Sequence, residues 1–308
     1  MASRTLRQRK LARAVREARL QAGLTARELA KLVRMQESSI SKIENLKQTV
    51  VPRTLMNLLS ACGVGAPLAH TLLQIAEEAE SVAWWDAYDD TVPDFFRDYV
   101  DLESDAEQIW TYCPELVTGL AQTGDYADAI LRLNPSRTPV QRERAVAFRE
   151  GRQEQLDRAN PPRLRILLNE AVVRRPVGGT EVMRAQLQHL ADMSRRPNIS
   201  IQLLPFSAGE HALMQEGAHT LLRFPGEYED MDCVYKETNS GSLWKERPVE
   251  VAAYASDFDA TARMALSSEK TRALLTSLGG ETTWVGTEGS TDGHSDGHPL
   301  EEDPLEDK

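Results

Sequence analysis

The chain has 308 residues, 41% hydrophobic and 27% charged, values of a globular protein long enough for two cores. No stretch approaches the roughly 20 apolar residues a bilayer span needs, and the opening MASRTLRQRK leads into a charged helix, so a cytoplasmic protein without a membrane partner is expected. Cys62, Cys113 and Cys233 are far apart with no CxxC pair, which suggests neither a disulfide framework nor a zinc site. The net charge of −11 is unevenly placed: residues 1–65 hold 13 Lys/Arg against 4 Asp/Glu, leaving 23 basic and 43 acidic side chains for residues 66–308. The basic end is where phosphates would be met.

Taken in order, Leu6 to Ala22 reads as a first helix, with Leu11, Ala14, Val15, Ala18 and Ala22 inward and Arg7, Lys10, Arg13 and Glu17 outside. Gly23 is a left-handed stop. A second helix should begin at Thr25, because Thr25 and Glu28 are spaced as a capping box: the hydroxyl accepts from a helical N–H and the carboxylate accepts from the cap N–H. Ala26, Leu29, Ala30 and Val33 then share a face; the apolar spacing breaks at Arg34, Met35 and Gln36 and resumes at Ile40 and Ile43. The break is a turn. The helix after it should expose Glu37, Ser38, Ser39, Ser41 and Lys42, side chains suited to a DNA major groove. Pro52 to Ala61, closed by Gly63, makes a fourth helix, and Pro67 to Ala79 a fifth.

The string Leu24-Thr25, Glu28-Leu29-Ala30, Ser38, Ile40-Ser41-Lys42-Ile43-Glu44 resembles the lambda-repressor/Cro-like (XRE-type) helix-turn-helix. The resemblance implies an all-α domain that binds double-stranded DNA. Glu37, Ser38, Ser41 and Lys42 are the candidate base contacts, and Arg27, Lys31 and Lys47 the candidate phosphate contacts. It also implies a buried ion pair between Arg19 of the first helix and Glu44 of the recognition helix. Where the family commonly has glycine this chain has Arg34 and Leu46. A bulky residue at positive φ is costly, so either the backbone differs there or glycine is dispensable. Glu37 stands where an amide is frequent, so the operator cannot be copied from relatives.

Between Ala79 and Pro93 an acidic stretch carries Trp84, Trp85 and Tyr88, which are too large and apolar to be left in water and should pack on the following domain. A helix is expected at Asp94 to Asp101, a strand at Gln108 to Tyr112, and helices at Asp125 to Leu133 and Val140 to Asp157. Arg163 to Leu168 and Ile199 to Leu204 read as strands around a helix, Glu181 to Arg195, a βαβ-like unit. Strands at His219 to Phe224 and Cys233 to Glu237, then helices at Val249 to Leu266 and Glu269 to Leu278, complete an α+β domain.

Glu103 with Trp84-Trp85, the string GLAQTGDYA from Gly119 to Ala127, Asn169-Glu170-Ala171, RRPVGG from Arg174 to Gly179, and Leu204-Pro205-Phe206 resemble actinobacterial antitoxin-like transcriptional regulators of the WhiJ-like kind. In that family an XRE-type helix-turn-helix precedes one large domain. The resemblance runs from about Leu6 to Leu278 and implies a transcription regulator, often encoded beside a small acidic partner protein.

Residues 279–308, rich in Gly, Ser, Asp and Glu, should form a disordered acidic tail, in which His294 and His298 lack a third ordered metal ligand. There is no GxSxG elbow, P-loop or HExxH, and no GxGxxG after a strand; Gly178-Gly179 is a turn signal, His189 has no evident catalytic partner, and Glu210-His211 reads as solvated loop. No enzyme activity, cofactor or metal is expected. The expected architecture is therefore multi-domain: a lambda-repressor-like helix-turn-helix domain at 1–80, an α+β regulatory or interaction domain at 81–278, and the tail at 279–308. The function read from it is a sequence-specific, nucleoid-associated regulator, a repressor acting as a homodimer, since one short module reads few base pairs. The alternative is an antitoxin-like module that sequesters a small partner, with weak or no DNA binding.

Overall fold

The computed structural model describes residues 6–78, 88, 92–238 and 241–280; the packing expected of Trp84 and Trp85 and the expected acidic tail beyond Gly280 lie outside them. Five helices come first: α1 (Leu6–Gln21), α2 (Ala26–Leu32), α3 (Glu37–Glu44), α4 (Pro52–Ala61) and α5 (Ala66–Glu78). Leu11, Val15, Leu29, Ile40, Ile43, Leu55, Leu58 and Leu59 form their core, none more than 1% exposed. Each such side chain contributes about 1.5–3 kcal/mol on burial. That tertiary gain sustains α2 with 7 residues and α3 with 8, well below the ~12–15 an isolated helix needs.

Local chemistry sets the ends. Thr25 closes a capping box on α2: Glu28 N–H donates to the Thr25 hydroxyl at 3.2 Å, and Thr25 N–H donates to the Glu28 carboxylate at 2.8 Å. At their C-termini α1, α2, α3 and α4 all enter the left-handed region, at Gly23, Arg34, Leu46 and Gly63 (φ 69°, 55°, 57° and 73°). The next N–H then returns to a carbonyl in the last turn: Leu24 to Arg19 at 3.0 Å, Met35 to Ala30 at 2.8 Å, Lys47 to Lys42 at 2.7 Å and Val64 to Leu59 at 3.0 Å. The backbone does not change to suit Arg34 and Leu46. The same pair of closing bonds that glycine supports elsewhere holds them there, against a steric cost of roughly 1–2 kcal/mol each.

The larger part is α+β. It runs α6 (Asp94–Asp105), β1 (Gln108–Cys113), α7 (Gly124–Leu131), α8 (Pro139–Gln153), β2 (Arg163–Asn169), α9 (Glu170–Arg174), α10 (Thr180–Met193), β3 (Ile199–Leu204), β4 (His219–Arg223), β5 (Cys233–Thr238), β6 (Gly241–Lys245), α11 (Pro248–Met264) and α12 (Ser268–Gly280). The sheet order is β3-β2-β1-β4-β5-β6. β1, β2 and β3 are parallel, with Thr111 opposite Ile166 and Ile166 opposite Ile201, and β2-α10-β3 is the expected βαβ unit. β4, β5 and β6 are antiparallel additions on the other side of β1. Helices cover both faces, which is why β1 is buried continuously from Ile109 to Cys113 and β2 from Ile166 to Leu168. Ile109, Ile166, Ile201 and Tyr235 face the larger core, whereas Trp110, Leu167, Leu221 and Val234 pack with Val251, Phe258 and Ala262 of α11.

Tyr88 packs against Phe148 of α8 with ring centroids 5.6 Å apart, as its size predicts. Beneath them Arg152 makes a bidentate pair with Glu103 at 2.9 and 2.7 Å, 6% and 0% exposed, and Gln155 donates to the same carboxylate at 3.0 Å. The guanidinium also lies 5.0 Å from the centroid of Phe96. Glu103 is thus a neutralised core charge joining α6 to α8.

The two parts meet along α1. Arg7, Lys10 and Arg13, expected outside, are half-buried, because that face of α1 meets acidic groups of the larger part. Arg9 donates to Glu246 at 2.8 Å, Lys10 to Asp230 at 2.5 Å, and Arg13 to the Asp230 carbonyl at 2.5 Å. The Leu6 N–H donates to Asp105 at the end of α6, so a carboxylate from the second part caps the start of α1. Ala22, expected inward, is exposed just past the last turn of α1.

Candidate nucleic-acid interface

α3 buries Ile40 and Ile43 at 0% and 1% exposure and turns Glu37, Ser38, Ser41 and Lys42 to solvent. Ser39, expected with them, is half-buried, because it lies one turn before Ile43 on the core side. The side chains of Glu37 and Lys42 make no hydrogen bond or ion pair among the described residues, so both charges are available. Ser41 is differently placed. Asn45, the residue at the end of α3, turns its amide back to donate to the Ser41 carbonyl at 2.7 Å and its Oγ at 3.3 Å. Asn45 is not among the expected site residues, although an amide four residues beyond a serine at a helix end is a sequence signal for such a bond.

The phosphate candidates sit on the adjoining elements. Arg27 and Lys31 are exposed and one turn apart on α2, which packs directly on α3. Lys47 is exposed just after α3, and its N–H closes that helix on Lys42. Lys31 lies near Glu28, whose carboxyl is held below its ordinary pKa, first by the Thr25 backbone N–H and then by the Thr25 hydroxyl.

Arg19 fixes the whole assembly. Its Nε and Nη2 donate to Glu44 at 2.6 and 2.8 Å and its Nη1 to the Leu24 carbonyl at 2.9 Å, with the two side chains 12% and 8% exposed. The hydrogen bond to Glu44 raises the guanidinium pKa, overcoming the opposite effect of burial. One side chain of α1 therefore holds both the C-terminal turn of α3 and the loop entering α2, and so sets the angle of the exposed helix.

Not all of the basic surplus serves that surface: Arg9, Lys10 and Arg13 are engaged by the larger part. Among the described residues no group of three His, Cys, Asp or Glu side chains could hold a metal ion. His211 lies in the 205–218 loop with its Nε2 3.5 Å from the Tyr112 hydroxyl, and Glu210 beside it is exposed. No helix among the described residues is long and apolar enough to cross a membrane.

Comparison with known families agrees with the division seen in the structure. A model described as a helix-turn-helix domain matches residues 10–72, and one described as a domain of unknown function (DUF5753) matches residues 96–277. No curated protein and no solved structure in the comparisons matches the chain. The second match takes in the sheet and its helices and covers more than half of the chain, which therefore belongs to the DUF5753 family and carries a helix-turn-helix domain ahead of it.

Proposed function

We propose that this protein is a cytoplasmic, nucleoid-associated transcription regulator, a repressor that binds double-stranded DNA as a homodimer through α3. The DUF5753 domain supplies the dimer or partner surface, and the chain acts by binding and not by catalysis. The supporting observation is the solvent face of α3: Glu37, Ser38 and Lys42 stand exposed on a helix whose other side is sealed in the core and whose angle is held by Arg19 and Glu44. A helix presented this way fits the major groove, and two copies about one helical turn (roughly 34 Å) apart give the site length that one module lacks. Residues 1–80 and 81–278 act as the reading and regulatory units.

The test is a gel shift with the protein's own promoter region. Lys42→Ala should change which sequences bind. Lys47→Ala should weaken binding to all of them and flatten the salt dependence by about one unit. No shift at low salt would overturn the proposal.

Glu37 favours a second reading. A free carboxylate on the presented face is repelled by phosphate, as expected of an antitoxin-like module that has weak or no DNA binding and sequesters a small partner. Co-purification of such a partner without enrichment of genomic DNA would select it.

A further inference from the structure

We infer that Glu37 sets the sequence specificity at one position of the DNA site, and that the base it selects there is cytosine. The inference rests on the DNA-binding reading above. Glu37 is the first residue of α3, and the preceding Gln36 makes no side-chain cap bond, so nothing stands between the carboxylate and whatever the helix end meets. In helix-turn-helix docking the N-terminal residues of the second helix lie nearest the base edges. The unpaired N–H groups of the first turn favour a negative charge there.

No cation neutralises that charge among the described residues. The residues one turn on are Ile40 and Ser41; Lys42 lies five positions on, roughly 140° around the helix and about 7.5 Å along it. A carboxylate only accepts hydrogen bonds. In the major groove guanine offers acceptors, thymine an acceptor and a methyl group, and adenine a donor beside the N7 acceptor. Cytosine alone presents an N4–H₂ donor with no acceptor on the same base edge. Phosphates repel the group as well, so in the groove Glu37 is satisfied at one base.

Ser41 completes the pattern one turn later on the same stripe. Its Oγ accepts from Asn45, which leaves the hydroxyl hydrogen to donate outward. Lys42 is a donor only. The face thus reads acceptor, donor, donor along α3, the complement of a cytosine followed by base edges rich in acceptors, such as guanine.

The experiment is selection from a pool of random duplexes with the full chain, Glu37→Gln and Lys42→Ala. Glu37 has no partner to lose, so Glu37→Gln should melt within about 2 °C of the wild type. The wild type should enrich sites with cytosine at one invariant position, and replacing that base should weaken binding by roughly 5- to 140-fold. In Glu37→Gln the same position should change to adenine, because an amide pairs with adenine N6 and N7. Lys42→Ala should leave the cytosine in place and relax a different position. The inference is overturned if Glu37→Gln enriches the wild-type base at every position. A wild type that enriches no sequence overturns the DNA-binding reading as well, so the two failures are distinguishable.

Discussion

Arg9 and Glu246, 237 positions apart in sequence, form a 2.8 Å ion pair in which the Arg9 guanidinium lies 5.1 Å from the centroid of the Trp244 ring. This is the clip that joins the helix-turn-helix domain to the sheet, with Lys10 and Asp230 beside it. The acidic partners are largely solvated, Glu246 at 55% and Asp230 at 44%, so each pair is worth little and is weakened by salt. Reversing both charges, Asp230→Lys with Glu246→Lys, should weaken docking by about 1–2 kcal/mol in total. Limited proteolysis near α1 should then be faster at low salt, and raising the salt should bring the wild type toward the variant. Equal digestion rates at low salt would refute the clip.

The Arg19–Glu44 pair calls for a much larger response. Glu44→Ala leaves a nearly buried guanidinium with only the Leu24 carbonyl, and should cost about 3 kcal/mol, near the low end for broken buried pairs because Arg19 keeps 12% exposure. A thermal melt is the check. Replacing both residues by apolar side chains should recover most of the loss.

Arg34 and Leu46 share a backbone conformation but not an environment. Arg34→Gly should stabilise the free protein by roughly 0.5–1 kcal/mol, because relief of the left-handed strain exceeds the entropy glycine loses on folding. Leu46 is half-buried, so Leu46→Gly gives up packing that offsets the same relief, and little net change is expected. Urea unfolding of the two variants side by side checks both; a destabilised Arg34→Gly would refute the strain.

Stability should also fall on mild acidification. His219 is 4% exposed, its Nδ1 lies 2.9 Å from the Gly217 carbonyl, and burial lowers its pKa from the ordinary 6.5. The unfolded chain therefore takes up the proton first. The contribution is fully present above pH of about 6.5 and is lost as pH falls from there through the lower, folded-state pKa. His189 and His211 shift in the same direction. His219→Asn keeps a donor for Gly217 and should flatten part of the slope in melts between pH 7.5 and 5 or thereabouts; an unchanged slope would exclude His219 as a source.

Elements with a local chemical signal are legible in the sequence. The Thr25–Glu28 box, Pro52 at the head of α4 and the alternation of β3 place those elements to within a residue, and the 3.6-residue period identifies the exposed side of α3. Elements that take their definition from elsewhere are not legible. β6 has five residues and an exposed Leu243, and among the described residues pairs only with β5; α9 is one turn and a half continuing from β2. The Arg152–Glu103 pair joins residues 49 apart, and nothing near either marks it. In the candidate site the exposed side chains are legible, and an amide four residues beyond Ser41 marks the Asn45–Ser41 bond, but a surplus of basic residues does not say which of them face another part of the same chain.

The order in which the chain is made gives the clip a further meaning. α1 to α5 are complete by residue 78, whereas β1 must wait for β2 and then for His219–Arg223 to gain both neighbours. Domains that leave the ribosome first fold first, and strands with distant partners pair late. Asp230 and Glu246 come later still. A nascent or truncated chain ending before them would lack both ion pairs of the clip, and only a chain with its sheet built would add them to the Asp105 cap and so fix the direction of the helix-turn-helix.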